Sequence, residues 1–442
     1  MTPLALAIRV NSQAFTHMNH STSLSRRRLL AGAFATAALG PSILWAAPKN
    51  GRLNIAFIGY GKRAYGVMEQ ALRQQDVRIV AVCDVEGTRL AKAKEVVEKH
   101  YAEDQKSGAY KGCRAYVDYR ELLEREDLDA VVIMTPDHMH VHPALAAAKK
   151  KLDIYCEKPL TRTIAEGRIL VNAVKKHSII FQTGSQQRSE FGGRFRTAVE
   201  MIWAGRIGDV KTVRIGVGGP SIPCLLPEQP TPENVNWDLW LGPAPQRGYH
   251  EELCPKGMHN HFPAFRKYEE YAGGLLADMG AHHFDIAQWA LGMDGSGPVT
   301  IEPPATGESG LKFTYADGIE MFHGGPSGCT FEGSKGTIWV DRNLLKSDKP
   351  EILSTPLADA DRRVMPSKDH FRNWLDCIKT RTEPICSVET GHRTASVCHL
   401  GNIGYKLRRK LTWDPLQEKF VGDAEANALT SRKQREGWAY EA

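Results

Sequence analysis

The stretch Asn54–Ala64, NIAFIGYGKRA, constrains the fold more than any other part of the chain. A β-branched apolar run ends in Gly59-Tyr60-Gly61 and passes directly into KRAYGVMEQALRQ (62–74), whose apolar residues recur at helical spacing. In a strand–turn–helix of this kind Gly59 permits the tight turn. Gly61 lets a pyrophosphate approach the backbone at the helix N-terminus, and Ala64 stands where a third glycine is common. Alone, the hexapeptide is a weak signal, since a glycine turn also occurs in α/β folds that bind nothing. The next apolar run, VRIVAVCD (77–84), adds weight because it closes on Asp84, 23 residues past Gly61. A carboxylate there hydrogen-bonds a ribose 2′-OH and repels a 2′-phosphate, which favours NAD. Lys62, Arg63 and Arg89 keep NADP open.

The alternation continues. Strand-like DAVVIMTP (129–136), DIYCEKP (153–159) and IIFQTG (179–184) are separated by amphipathic runs at 142–150 and 163–176, and TRLAKAKEVVEKHY (88–101) follows the second strand. Repeated β-α-β units with apolar strands mean a parallel sheet covered on both faces, most simply a doubly wound α/β Rossmann domain over residues 52–184. Past Gly184 the texture changes. A helix-like 195–205 leads into the alternating 210–219, a Pro-rich loop (220–245) and two hairpin patterns at 310–325 and 330–342. An amphipathic helix follows at 369–381. This predicts an α+β second domain, 185–442, with a mainly antiparallel open sheet.

Three stretches carry chemistry. TPDHMHVHP (135–143) closes a strand at the sheet edge where ligands sit, so Thr135, Pro136 and His140 are candidates for the nicotinamide side of the cleft. Metal binding by His138, His140 and His142 is weighed and set aside, because Pro143 and the following helix break the extended geometry it needs. CEKPL (156–160) ends the next strand, with Glu157 facing the cofactor and Lys158 a candidate proton donor or acceptor; a surface Glu-Lys pair is the alternative. GGLLADMGAHHFDIAQWA (273–290) reads as a helix from Ala277 onward, with Asp278 and His282 one turn apart on one face. A carboxylate so placed would orient the imidazole as a base, while His283 points elsewhere. A metal held by His259, His261, Asp278 and His282, or a merely packed histidine, are the rival readings.

Ahead of all this lies SLSRRRLLAGAF (23–34): three arginines, then a mild apolar run interrupted by Gly32, Gly40 and Pro41. Basic, apolar and small residues in that order are the layout of an export signal, here expected over residues 1–47, rather than of a membrane span. The segment is similar to twin-arginine signals, whose translocase carries folded proteins to the periplasm. Met18 is an alternative start. The first 47 residues hold four of the six excess positive charges, so the remaining chain is close to neutral and no nucleic-acid surface is indicated. Nine cysteines without a C-x-x-C read as buried thiols rather than a disulfide scaffold.

Taken in order, Gly59-x-Gly61-x-x-Ala64, Asp84, Thr135-Pro136…His140, Glu157-Lys158-Pro159 and Asp278-x-Gly280-x-His282 resemble the glucose–fructose oxidoreductase / inositol dehydrogenase / MocA (Gfo/Idh/MocA) family over roughly residues 52–410. The resemblance implies NAD(P)-dependent oxidation or reduction of sugars and polyols, a homo-oligomer, and Lys158 beside the nicotinamide with Asp278 and His282 completing the catalytic set. GSQQRS (184–189), NWDLWLGP (236–243) and FRKYEEYAGG (265–274) resemble the family's exported bacterial members; Arg188, Arg266, Tyr271 and His283 are then the expected substrate wall. A folded, exported enzyme would carry its NAD as a prosthetic group. The alternative is an NAD-dependent glycoside hydrolase or lyase working by transient oxidation, elimination and re-reduction. Against one version of it, family members resembling α-N-acetylgalactosaminidases carry a Tyr-Pro-Thr-His segment where this chain has Ala277-Asp278-Met279-Gly280-Ala281-His282, the dehydrogenase-like form. A non-catalytic sugar-binding protein is a third reading, against which the intact Lys158, Asp278 and His282 argue.

Overall fold

The structure, a computed structural model, describes residues 51–440, so the export-signal reading of residues 1–47 lies outside the described residues. Six parallel strands form the first sheet: β1 (Leu53–Ile58), β2 (Val77–Cys83), β3 (Arg114–Tyr116), β4 (Ala130–Ile133), β5 (Asp153–Cys156) and β6 (Phe181–Thr183). Their order is β3-β2-β1-β4-β5-β6. β4 and β5 are buried throughout, as strands covered on both faces must be. β3 is not anticipated by the sequence. It is a three-residue, largely exposed edge strand with no apolar run to announce it. The winding reverses between β1 and β4, which opens a crevice at their carboxyl ends.

The second sheet has eight strands: β7 (Val210–Gly216), β8 (Thr300–Glu302), β9 (Lys312–Thr314), β10 (Glu320–Gly333), β11 (Thr337–Val340), β12 (Leu345–Ser347), β13 (Leu411–Asp414) and β14 (Lys419–Phe420). They run β12-β11-β10-β9-β8-β13-β14, with β7 on β10, and every pairing is antiparallel. Both hairpins expected around Asp317 and Lys335 are present as β9–β10 and β10–β11. Alternate side chains from this sheet, Val213, Ile215, Phe313, Phe331 and Ile338, pack with Phe195, Ile202 and Phe284 from the helices Arg194–Trp203 and Gly280–Ala290. The architecture is therefore the expected one, a parallel Rossmann sheet followed by an antiparallel sheet domain.

Two late helices cover the first sheet. His370–Thr380 brings Phe371 and Trp374 against Tyr155 of β5, ring centroids 5.6 and 5.7 Å apart. Its Arg372 pairs with Asp76 at 2.8 Å, and Arg381 just beyond it with Asp153 at 2.7 Å. Val388–Leu407 lies along Ile164–His177. The nine cysteines are free thiols, and all except Cys224 are buried.

Candidate active site

A cleft opens at the β1–β4 switch point. Gly59, Gly61, Asp84, Thr135 and Pro136 line its inner side. Gly59 has φ +95°, and a Cβ on it would lie 2.8 Å from the carbonyl carbon and oxygen of Met134, so the turn admits only glycine. Asp84 accepts from the Tyr60 amide at 2.7 Å and the Glu86 amide at 2.9 Å, which fixes its carboxylate beside the glycine turn. Ala64 is buried in the first turn of Lys62–Leu72, where its methyl fills the helix–sheet contact that a third glycine serves elsewhere.

Of the cleft's outer wall the sequence points only to Arg266 and, in the rival metal reading, to His259. Cys254, Pro255, His259, Pro263, Phe265 and Arg266, all from the second domain, face the glycine turn. Arg89 pins this strap: its Nε is 3.3 Å from Asp84, Nη1 donates to Pro255 O at 2.7 Å, and Nη2 lies 3.3 Å from Cys254 Sγ. Tyr65 adds a hydroxyl bond to His259 O at 3.3 Å. A glycine cradle, a fixed carboxylate and a two-walled cleft fit a dinucleotide.

Beyond the cleft, Lys158 Nζ donates to Asp278 Oδ1 at 2.7 Å and to Asp278 O at 2.8 Å. Arg266 Nε lies 3.5 Å from the same carboxylate. Burial pushes the Asp278 carboxyl up, but Lys158 and then Arg266 outweigh it and hold it below the usual carboxylate range. The expected Asp278–His282 pair is not formed. The helix starts earlier, at Gly274, and stops at Asp278; a second helix, Gly280–Ala290, restarts after Met279. Asp278 thus orients the lysine and not the histidine. His282 keeps a buried Nδ1 without a partner among the described residues. Burial, reinforced by Lys158 and Arg342, holds its pKa well below the normal histidine value, so the imidazole is neutral.

Several expected site residues serve elsewhere. Glu157 turns back to Arg63 at 3.0 Å and Gln186 at 2.7 Å. The ring of His140 sits between Thr135 O (2.8 Å) and Pro159 O (2.9 Å); held neutral by burial, it donates to one of them and packs between the two strand-end loops rather than facing a ligand. Arg188 is no substrate wall: its side chain is 1% exposed and forks onto Asp285 and Asp294. Tyr271 is buried between His138 and Trp240, and His283 packs against Phe195 and Cys329, so neither reaches the cleft. Arg266 does line it. The three histidines of 135–143 point to separate partners, Nε2 of His138 lying 2.8 Å from Trp240 O and Nε2 of His142 2.8 Å from Trp438 O.

Sequence reading also overlooks Asp137, a buried carboxyl just past β4 that faces Arg266, Asp278 and Lys158. Burial raises its pKa to about 7; Arg266 and Lys158 pull it down and Asp278 pushes it up. The folded value lies above the unfolded one, so the stability this group contributes is present in acid and lost as pH rises through about 7. Asp137→Asn is therefore expected to raise stability at pH 8 by on the order of 2–4 kcal/mol and to give no gain at pH 4. Melting curves of both proteins across that range check this; a gain that does not grow with pH would contradict it.

Two family models match the chain. One, described as the NAD-binding Rossmann fold of an oxidoreductase family, covers residues 53–185, and the other, that family's C-terminal alpha/beta domain, covers residues 223–440. The uncharacterized oxidoreductase YrbE of Bacillus subtilis is 23% identical over 332 residues, 71% of this chain and 79% of that protein. Myo-inositol 2-dehydrogenase of Thermotoga maritima is 26% identical over 240 residues, 54% of this chain and 55% of that protein. A glycosyl hydrolase family 109 protein of Stenotrophomonas maltophilia is 32% identical over 145 residues, 30% of each chain. Among solved structures, aldose-aldose oxidoreductase from Caulobacter crescentus superposes with a TM-score of 0.54 at 18% identity, over 82% of this chain and 99% of that one.

Proposed function

The chain belongs to the Gfo/Idh/MocA oxidoreductase family, and from that premise we propose that it oxidises a sugar, sugar derivative or polyol at a carbinol carbon, with NAD as a tightly held cofactor. The carrying observation is the Lys158–Asp278 pair beside a neutral, unpartnered His282, next to a cleft that fits a dinucleotide. When bound, the nicotinamide ring supplies the acceptor, and later the donor, of the hydride. His282 takes the proton of the reacting hydroxyl, which its unprotonated state allows. The Lys158 ammonium, held by two bonds to Asp278, donates to the substrate oxygen as negative charge builds there.

NAD is favoured over NADP. The buried Arg89 is committed to Asp84, Pro255 and Cys254, and Arg63 to Glu157, so neither arginine is free to meet a 2′-phosphate, and of the three cations only Lys62, bonded to Asn260, remains at the cleft. Export through the twin-arginine route and assembly as a homo-oligomer belong to the same proposal. The strap across the cleft supports retention of the cofactor after export. Purified, thoroughly desalted protein is expected to release about one NAD(H) and no NADP(H) per chain on denaturation. Empty protein would overturn retention. A keto-sugar product supports the oxidoreductase, whereas a released aglycone without net NADH would transfer the reading to the glycoside hydrolase or lyase, which the partial likeness to the family 109 protein keeps as the rival.

A further inference from the structure

Three cations, Lys158, Arg63 and Arg342, act on His282, and two of them have carboxylates. Lys158 pairs with Asp278, which Arg266 also approaches, and Arg63 pairs with Glu157. Arg342, two residues past β11, pairs with no carboxylate among the described residues. Its Nε donates to Gln187 Oε1 at 3.0 Å, and Gln187 Nε2 in turn donates to the backbone oxygen of His282 at 3.1 Å. Its guanidinium lies 4.9 Å from the centroid of the Phe191 ring. One edge and one face of this half-buried group are therefore fixed, while both terminal amino groups have no partner among the described residues.

The charged groups facing it are Arg63, Asp278, Glu190 and Glu157, with Arg63 the one repulsive neighbour. Asp278 and Glu157 are taken up by Lys158, Arg266 and Arg63, so the fork of Arg342 is left open, and it matches a ligand carboxylate in two parallel bonds. Arg342, like Lys158 and His282, lies outside the lining of the dinucleotide cleft, and its charge acts on His282, which places it on the substrate's side of the site.

We propose that Arg342 anchors a carboxylate of the substrate, and that the enzyme acts on an acidic sugar, a uronate or related sugar acid, with the carboxylate on Arg342 and the reacting carbinol at Lys158 and His282. This rests on the sugar oxidoreductase reading above. Gln187 is the positioning residue that ties the anchor to His282.

The test compares wild type, Arg342→Gln and Arg342→Lys on the pairs glucuronate/glucose, galacturonate/galactose and mannuronate/mannose, with glucose 6-phosphate added. It is read by single-turnover reduction of the bound cofactor and by binding titration. At least one uronate is expected to bind tenfold or more tighter than its neutral partner. Arg342→Gln should cut that preference at least tenfold, and Arg342→Lys should restore part of it. Bound NAD(H) per chain and melting temperature should not change. Neutral sugars preferred, or a preference that survives Arg342→Gln, would overturn the anchor and leave the oxidoreductase reading standing. A sugar phosphate outranking every uronate would overturn the carboxylate assignment. NAD(H) lost from Arg342→Gln would assign the guanidinium to a cofactor phosphate, also overturning it. If no sugar of either kind bound or reacted, both readings would fall.

Discussion

Lys158→Ala should slow turnover by about 10²–10⁴-fold, the range for removing a positioned proton-handling group, with NAD(H) still bound. The lysine sits outside the dinucleotide cleft's lining, and its ammonium spends two bonds on Asp278, one on the carboxylate and one on the backbone oxygen. That arrangement directs the remaining donor without any help from the histidine. Loss of the ammonium removes stabilisation that matters most as the substrate oxygen becomes negative, so the defect should fall on kcat more than on KM. It also leaves Asp278 with only Arg266, 3.5 Å away, and the carboxyl should rise from its depressed value. Lys158→Arg keeps the charge but not the geometry and should rescue little. Steady-state kinetics with the sugar that reduces the bound cofactor checks this. Full turnover in Lys158→Ala would remove the lysine from the mechanism.

The second large effect is on stability. Arg188→Ala is expected to cost about 3–5 kcal/mol, because it strands a buried carboxylate. Arg188 donates to both oxygens of Asp285 at 2.8 and 2.9 Å, and to Asp294 at 2.8 and 2.7 Å; Asp285 is itself fully buried and bonded to Thr394. The double substitution Arg188→Met with Asp285→Leu, which removes both charges, should recover most of the loss. Denaturant titration of the wild type and the two variants separates these outcomes. A KM change in Arg188→Ala with unchanged stability would instead return this arginine to the substrate wall.

Arg188 and Arg342 show where the sequence stops being legible. Both are arginines in polar surroundings, and nothing local distinguishes them. Their roles are set by partners far along the chain, Asp285 across 97 residues for one and Gln187 across 155 for the other. The strands β1, β2, β4 and β5 were legible because burial on both faces demands an apolar run, and Gly59 was legible because its backbone conformation demands glycine. The break at Met279 was not, since Met279 keeps right-handed helical angles and the apolar pattern runs through it unbroken. In the sequence the partner of Asp278 therefore looks like the residue one turn on, when it is a lysine 120 residues earlier. Asp137 was hidden for a similar reason: its burial comes from the packing around the end of β4, not from its neighbours in sequence.

The helices that cover β5 and β6 have a consequence for the order of synthesis. The nucleotide-binding sheet is complete at residue 183, but its cover, His370–Thr380 and Val388–Leu407, is translated only some 200 residues later. At about 5–20 residues per second, an apolar sheet face around Tyr155 and Phe181 stays uncovered on the ribosome for roughly 10–45 s. The two halves therefore mature together, and that face is closed only when these two helices arrive.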